Sequence, residues 1–210
     1  MGLYIYLANS MTTITDANIK GYVDAYLNLH KDNKGNTLAF GRKRFITKLP
    51  SDLKNKKIGE WDVSNVTDMR GLFRLRDDFN EDISGWDVSK VTNMKGMFRY
   101  ARAFNQPLEQ WNVGNVTNMD GIFYGASAFN QPLEQWNVGN VTNMENMFCD
   151  ARAFNQPIGQ WNVSNVTTMQ LMFDEAVKFD QNIGQWNVSA VTNMNSMFYK
   201  ACLLYTSDAA

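Results

Sequence analysis

Residues 111–135 read WNVGNVTNMDGIFYGASAFNQPLEQ, and this stretch is one copy of a unit that recurs along most of the chain. The tryptophans of the chain all lie 25 residues apart, at Trp61, Trp86, Trp111, Trp136, Trp161 and Trp186. Valine, threonine, methionine and phenylalanine recur at the same interval, and residues 103–119 are identical to residues 128–144. A fixed period of this size indicates tandem repeats that stack on one another, because a single unit cannot bury its own apolar face.

The first part of the unit has the alternation of a short strand. Trp111 and Val113 are two residues apart, so in a strand both side chains point inward while Asn112 and Gly114 point outward. Parallel strands lie about 4.8 Å apart, so we expect the six tryptophans to stack as a ladder in the core. The return segment 129–133 contains asparagine and proline, which favour a turn.

The middle of the unit has the spacing of a short helix. Val116, Met119, Phe123 and Ala126 follow one another at intervals of three, four and three residues. Thr117 stands at the start of this stripe, where its hydroxyl could cap the first turn. The pattern therefore predicts an α/β repeat solenoid with one short parallel strand and one short helix in each repeat. The helix is expected to span about two or three turns and could be partly 3₁₀.

The sequence before the repeats predicts an N-terminal helical cap over residues 13–57, which a solenoid needs to cover its first coil. An amphipathic helix is predicted over residues 15–30, with Thr15 or Asp16 as its N-cap. Residues 1–12 are expected to form a disordered lead-in, because their short apolar stretch lacks the basic start of a signal peptide. The basic run 42–44 fits either a solvated face or an anion site.

We assign the tandem repeats to residues 58–201, with Arg76 in the first repeat where later repeats have alanine. Residues 202–210 abandon the repeat pattern. They resemble the translation of a transposase adapter used in short-read sequencing libraries. We therefore expect this segment to be a non-native tail, and the native chain to continue with further repeats or a cap.

The repeat resembles that of the BspA-like leucine-rich-repeat surface proteins, a family built from a bacterial surface-protein repeat of about 26 residues. The residues that carry the resemblance are WNVSNVTTMQLMF at 161–173 and AFNQPIGQW at 153–161, and it extends over residues 58–201. The resemblance implies a right-handed, leucine-rich-repeat-like coil. It also implies a non-enzymatic binding role at the cell surface or in the secreted fraction.

The composition argues against several classes of function. The chain has 20 basic and 21 acidic residues, so no field of one sign attracts nucleic acid. No apolar run approaches the roughly 18 residues of a membrane helix, so we expect no membrane insertion. His30 is the only histidine, and Cys149 and Cys202 are the only cysteines. These residues supply neither a zinc-ligand cluster nor a nucleophile with an adjacent base, so we expect no enzyme, no metal site and no cofactor.

Two sequence features leave alternatives open. The acidic cluster in the first return segment fits either a calcium site or a solvated turn, although its spacing matches no EF-hand loop; it contains Asp77, Asp78, Glu81 and Asp82. Several repeats also contain the Asn-x-Thr or Asn-x-Ser glycosylation pattern. The recurrence of the repeat itself, with threonine as a helix cap, explains that pattern as well.

Two outward faces are candidates for binding a protein or glycan partner. The variable face, on the side of the predicted helix, differs from repeat to repeat; its candidate residues are Arg99, Tyr124, Asp150, Arg152 and Asp174. The uniform face, on the side of the predicted strand, repeats the same amides, which could bond to one another along a ladder; its candidate residues are Gln110, Asn112, Gln135, Asn137, Gln160 and Asn162. We expect a surface or adhesion-type protein. The alternative is a lattice-matching binder of ice or a crystalline polymer that uses the uniform face.

Overall fold

The computed structural model describes residues 11–29 and 48–201. Three short helical elements precede the first tryptophan of the repeats, Trp61: α1 is Ile19–Leu29, α2 is Ser51–Lys54, and a 3₁₀ helix spans Ile58–Glu60. From residue 61 onward the described chain consists of turns and extended segments. Parallel backbone pairing joins each repeat to the next at one position, occupied by Asp68, Asn93, Asn118, Asn143, Thr168 and Asn193. Successive repeats therefore stack in register, with one coil for every 25 residues.

The prediction of a short helix in each repeat is wrong: residues 120–125 form consecutive turns and neither an α-helix nor a 3₁₀ helix. The backbone N–H groups between residues 119 and 126 alternate between two kinds of acceptor. Gly121 and Phe123 donate to carbonyl groups of the next coil, at 2.8 and 3.0 Å. Ile122 and Tyr124 donate to the carbonyl three residues earlier, each at 3.1 Å. An α-helix would require each of these groups to bond four residues back. Repeated turns therefore produce the same apolar spacing as a helix.

This alternation places left-handed backbone at two positions in each coil. The φ angle is 59° at Gly121 and 68° at Gly125. The equivalent positions elsewhere also include non-glycine residues with φ between 52° and 61°, namely Leu75, Tyr100, Asn146, Asp150, Leu171, Glu175, Ser196 and Lys200. Such a conformation costs a side-chain-bearing residue about 1–2 kcal/mol. The bonds between coils hold it in place.

The strand predicted at residues 111–113 does not form, and the described coils pair only at isolated bridges. The N–H group of Trp111 donates to the carbonyl of Leu108, three residues earlier, at 3.1 Å, and the N–H group of Gly114 donates to the side chain of Asn112 at 3.2 Å. These local bonds occupy groups that a strand would have used for pairing. The coils pair instead at Asn118, whose carbonyl accepts from Met94 at 3.0 Å.

The core contains two parallel columns of phenylalanine. Phe123 lies 4.0 Å from Phe129 in its own coil, and 5.6 and 5.7 Å from Phe98 and Phe148 in the coils on either side, measured between ring centroids. All three pairs are stacked with nearly parallel planes. The ring centroids are closer within a coil than between coils, so each coil contributes one close aromatic pair. These pairs stack into a continuous aromatic spine along the core.

All six tryptophans are buried beside this spine, but not as the expected ladder. Trp136 contacts Phe123 of the preceding coil at 6.2 Å, and its indole N–H donates to the carbonyl of Leu108 at 2.9 Å. Within the described residues, tryptophan rings contact phenylalanine or tyrosine rather than one another. The indole N–H groups of the five later tryptophans each donate to a carbonyl 28 residues earlier. The buried indole N–H of Trp61 has no hydrogen-bond partner among the described residues. The spacing of the tryptophans alone does not reveal this geometry.

The N-terminal elements cover the first coil. The carboxylate of Asp16 does not act as the helix cap considered from the sequence; it accepts hydrogen bonds from the Thr67 N–H at 2.7 Å, the Thr67 hydroxyl at 2.6 Å and the Asp68 N–H at 3.0 Å. In the next coil, the Thr92 N–H and hydroxyl both donate to the carbonyl of Thr67. The carboxylate thus occupies the role that a preceding coil plays elsewhere.

Two side-chain contacts complete this cover. Tyr26 of α1 packs edge-on against Trp61 at 5.3 Å. Arg76, the residue by which the first repeat departs from its successors, forms an ion pair with Asp24 of α1 at 2.6 Å. The exception in the repeat therefore joins the first coil to α1.

Several predictions concern residues outside the described ranges. They include most of the lead-in 1–12, the part of the cap that contains His30 and the basic run 42–44, and the tail 202–210. The α/β solenoid class and its right-handed winding stay predictions.

Candidate functional site

The structure brings three of the five candidate residues of the variable face into one column along the stack. The guanidinium carbon of Arg99 lies 4.3 Å from the centre of the Tyr124 ring. One coil further on, Cys149 occupies the same position, and its Sγ lies 3.8 Å from an oxygen of Asp174. Four different side chains therefore form a continuous row across four coils.

The other two candidates, Asp150 and Arg152, form an ion-pair network beside this row. The Nε of Arg152 lies 2.6 Å from a carboxylate oxygen of Asp150, and its Nη2 lies 3.4 Å from a carboxylate oxygen of Glu175 in the next coil. Lys200 also pairs with Glu175, at 2.8 Å. This part of the face is consequently close to neutral. Because these pairs are exposed, solvent screens them and they contribute little to the stability of the fold.

The surroundings raise the pKa values of three groups in the row, Tyr124, Cys149 and Asp174. Burial, reinforced by the charge of Asp174, raises the pKa of the Cys149 thiol to about 12. A hydrogen bond with Tyr100, followed by burial, raises the pKa of Tyr124. Burial and the neighbouring Glu175 raise the pKa of Asp174 above its usual value. Because a thiol reacts as its thiolate, the raised pKa makes Cys149 a poor nucleophile.

The uniform face is arranged differently from the predicted ladder. The side-chain oxygens of Asn112, Asn137 and Asn162 accept hydrogen bonds from backbone N–H groups two residues further along, at 3.1–3.2 Å. They therefore stabilise turns within their own coils rather than bonding to one another. A shallow depression of about 470 Å³ lies between two coils on this face; its lining includes Gln110, Asn112, Gln135 and Asn137. Gln160 is likewise exposed on the next coil.

An amide ladder does exist, in the return segment. The oxygen of Asn105 accepts from the N–H of Asn130 at 2.9 Å and from the side chain of Gln131 at 3.1 Å. Asn130 accepts in the same way from Asn155 and Gln156 of the following coil. The recurring Phe-Asn-Gln triplet is the sequence signal for this ladder, but its asparagine also fits a simple turn, which is all that the sequence predicted for this segment.

Exposed threonines form a second regular row. Each hydroxyl donates to the backbone carbonyl of the threonine one coil earlier, at 3.0–3.3 Å, through Thr92, Thr117, Thr142, Thr167 and Thr192. The predicted role as a helix N-cap is therefore wrong, because no helix follows. The adjacent glycosylation-pattern amides are also engaged: those of Asn115, Asn140 and Asn165 donate to carbonyls of the preceding coil.

The acidic cluster of the first return segment is distributed among separate partners. Asp77 pairs with Arg102 at 3.0 Å, Glu81 accepts from the hydroxyl of Tyr26 at 2.9 Å, and Asp82 accepts from the N–H of Ser84 at 2.9 Å. In the part of the chain that the structure describes, no group of three or more potential metal-ligand residues converges. Asp77, Glu81 and Asp82 thus contact three different parts of the described structure.

Comparison with known protein families gives one match. The family model described as "Mycoplasma protein of unknown function, DUF285" matches residues 43–154 and, in a second overlapping segment, residues 132–208. Together these matches span well over half of the chain. The chain belongs to the DUF285 family. Neither the search of curated proteins nor the search of solved structures found a match.

Membership in DUF285 covers the whole described stack, from the Trp61 coil to the Trp186 coil. The candidate residues of both faces therefore lie within the DUF285 matches. Across residues 11–29 and 48–201, no helix has the length and apolar character needed to cross a bilayer.

Proposed function

We propose that this DUF285 protein is a non-enzymatic, BspA-like repeat protein that presents an extended surface to a protein or glycan partner. Cell-surface or secreted placement and an adhesion-type role belong to the same proposal, as does a right-handed, leucine-rich-repeat-like solenoid. The support is the resemblance of the repeat together with in-register stacking, which lines up equivalent outward positions along one axis.

The contrast between inner and outer columns carries the proposal. The inner column of Phe98, Phe123, Phe148 and Phe173 keeps one residue type. The outer row at the same coils reads Arg99, Tyr124, Cys149 and Asp174. A shared core therefore supports a surface that differs at each coil, which is how repeat proteins build extended binding sites.

An extended site gains affinity by adding modest contacts from successive coils. A screen against glycans and matrix proteins tests for such a partner. Single substitutions at Tyr124, Asp150, Arg152 and Asp174 should then weaken binding in steps rather than abolish it. Turnover of a substrate, lost through one substitution that leaves the fold intact, would overturn the non-enzymatic proposal.

A lattice-matching binder of ice or a crystalline polymer is a second candidate. Two rows of exposed side chains favour it, one of threonine hydroxyls and one of asparagine amides. Each side chain donates a hydrogen bond to the preceding coil, so each row repeats at the spacing between coils. Such rows would meet a periodic surface with little loss of side-chain entropy. Inhibition of ice recrystallisation and adsorption to crystalline polysaccharide test this candidate.

The two candidates predict different sensitivities. Changing Asn115, Asn140 and Asn165 together to alanine should reduce adsorption to a crystalline surface, with some loss of stability because each amide donates to the preceding coil. The same triple variant should leave a partner of the variable face unaffected. If it abolished both activities, the separation into two faces would be wrong.

A further inference from the structure

The part of the variable face nearest α1 carries a compact cluster of large cationic, aromatic and apolar side chains. We name it the arginine–tyrosine patch; it consists of Arg74, Leu75, Arg99, Tyr100, Arg102 and Tyr124. It spans three successive coils, at positions where the later coils carry Cys149, Asp150 and Asp174. The two ends of the variable face therefore differ in chemistry.

Two guanidinium groups in the patch lack a carboxylate partner. Six arginines lie in the described residues, and four of them form ion pairs: Arg70, Arg76, Arg102 and Arg152. The other two, Arg74 and Arg99, form no ion pair within the described residues, and they occupy the same position of neighbouring coils. A guanidinium group without a counterion can bind a carboxylate through paired hydrogen bonds.

Aromatic rings hold one of these charges in place without neutralising it. The guanidinium carbon of Arg99 lies 4.3 Å from the ring centre of Tyr124 and 5.6 Å from that of Tyr100. The two tyrosine rings meet edge to face at 4.9 Å. Because these contacts restrict the arginine before binding, less conformational entropy is lost when an anion arrives.

The same packing argues against a sugar as the ligand. Stacking on a sugar ring needs an open aromatic face. The Tyr124 face is covered by Arg99, and the Tyr100 ring lies so close to Gly125 that an added Cβ there would clash with it. Leu75, by contrast, is 48% exposed and offers an apolar contact. Arginine, tyrosine and a flanking apolar residue are typical of protein interfaces.

We propose that the arginine–tyrosine patch binds a carboxylate-rich segment of a partner protein. This inference rests on the proposed binding function and assigns one chemistry to one end of the variable face. The carboxylates would pair with Arg74 and Arg99, while an adjacent apolar side chain would pack on Leu75.

The test measures fluorescence anisotropy of a labelled peptide of six glutamates against the full chain, at ionic strengths of about 0.05 M and 0.15 M. The double variant Arg74→Gln, Arg99→Gln removes the two unpaired charges. The matched control, Lys90→Gln with Lys178→Gln, removes the same net charge from positions outside the patch. Circular dichroism establishes that both variants keep the fold.

We expect the arginine variant to raise the Kd by at least about tenfold and the control by less than about twofold. Equal weakening by both variants would mean diffuse charge attraction and would overturn the proposal. It would also be overturned if hexaglutamate failed to bind, or if a sulfated oligosaccharide alone bound the patch. A partner from the screen that depends on Asp150 and Asp174 but not on Arg74 and Arg99 would leave the general function standing and remove only this inference.

Discussion

The first coil and the last described coil have the same core residues but very different surroundings. In the coil at residues 186–201, Val188 is 38% exposed, Met194 38% and Phe198 43%. The equivalent residues of the first coil, Val63, Met69 and Phe73, are all at most 1% exposed. Because the residue types are identical, the difference in exposure comes from the neighbouring parts of the chain that cover each coil.

This contrast shows that burial in the stack belongs to pairs of adjacent coils rather than to a single coil. At the first coil, Asp16, Tyr26 and Asp24 provide contacts that a preceding coil supplies elsewhere. The stability of such an array is close to a sum of terms between nearest neighbours. The same substitution should therefore have different effects at different coils.

The largest effect is expected in the phenylalanine column. Phe148→Ala should lower the free energy of unfolding by about 3–5 kcal/mol, because the ring is fully buried between two coils and leaves a cavity. Phe198→Ala should cost only about 1 kcal/mol, because Phe198 is 43% exposed and its ring stacks on Phe173 alone among the described aromatic residues. Urea denaturation followed by circular dichroism measures both. Equal costs would show that neighbouring coils do not determine the burial.

The contact between Asp16 and the first coil should have the next largest effect. Asp16→Ala removes the acceptor of three hydrogen bonds and should cost about 1–2 kcal/mol. Asp16→Asn keeps one acceptor oxygen and should cost less. A melting temperature unchanged by Asp16→Ala would mean that the first coil does not need this substitute for a neighbour.

The contribution of the Asp16 carboxylate to the stability of the first coil depends on pH. Desolvation by itself would raise the pKa of Asp16, but the hydrogen bonds from Thr67 and Asp68 outweigh it and lower the pKa below 3.8. The ionised form is therefore favoured by folding, and its contribution is present above about pH 4 and is lost as the pH falls through the lower folded-state pKa. The stability difference between the wild type and Asp16→Ala should shrink over that range.

A smaller effect is expected where the backbone is left-handed. Gly71, Gly96 and Gly121 occupy this position in the first three coils, whereas Leu171 occupies it with φ 55° in a later coil. Gly121→Ala should cost about 1 kcal/mol because of its φ angle alone, since an added Cβ meets nothing closer than ordinary contact. Leu171→Gly should instead be neutral or slightly stabilising. Stabilities that move in the opposite directions would contradict the turn geometry.

The smallest difference concerns the threonine row. Thr142→Val removes one hydrogen bond to a backbone carbonyl at 3.2 Å and should cost about 0.5 kcal/mol. Thr67→Val should cost about 1 kcal/mol, because its acceptor is the charged Asp16 at 2.6 Å. Thermal denaturation of the two variants in parallel measures the difference. Identical shifts would show that the charge of the acceptor has no effect.

The sequence could predict which columns face inward, but not the backbone that places them there. The stripe from Val116 to Ala126 matches helical spacing, yet consecutive turns with left-handed backbone at Gly121 and Gly125 generate the same inward pattern. Gly121 and Gly125 were a signal for such turns, although the equivalent Asn146 and Asp150 obscure it in the next coil. Apolar periodicity reports which side chains are buried and leaves the hydrogen-bond partners undetermined.

The candidate surfaces could likewise be predicted only in part from the sequence. The row through Arg99, Tyr124 and Asp174 could be predicted, because a constant period places equivalent residues side by side. The amide ladder was predicted in the Asn112 column instead of the Asn105 column, because both repeat and only the local backbone decides which oxygen meets the next coil. The role of Asp16 had no sequence signal, since it depends on a contact with a residue 51 positions away.

The alternating backbone bonds also determine how the stack would respond to mechanical load. Between residues 119 and 125, every second N–H group donates to the next coil, so neighbouring coils are joined by a short row of bonds that run along the axis. A force applied to the two ends would load the bonds of one junction together and release the chain one coil at a time. Each release would add one repeat of extended chain, roughly 80–90 Å, to the contour length. Single-molecule stretching should therefore give an evenly spaced series of force peaks, beginning with the coil whose aromatic rings are least covered.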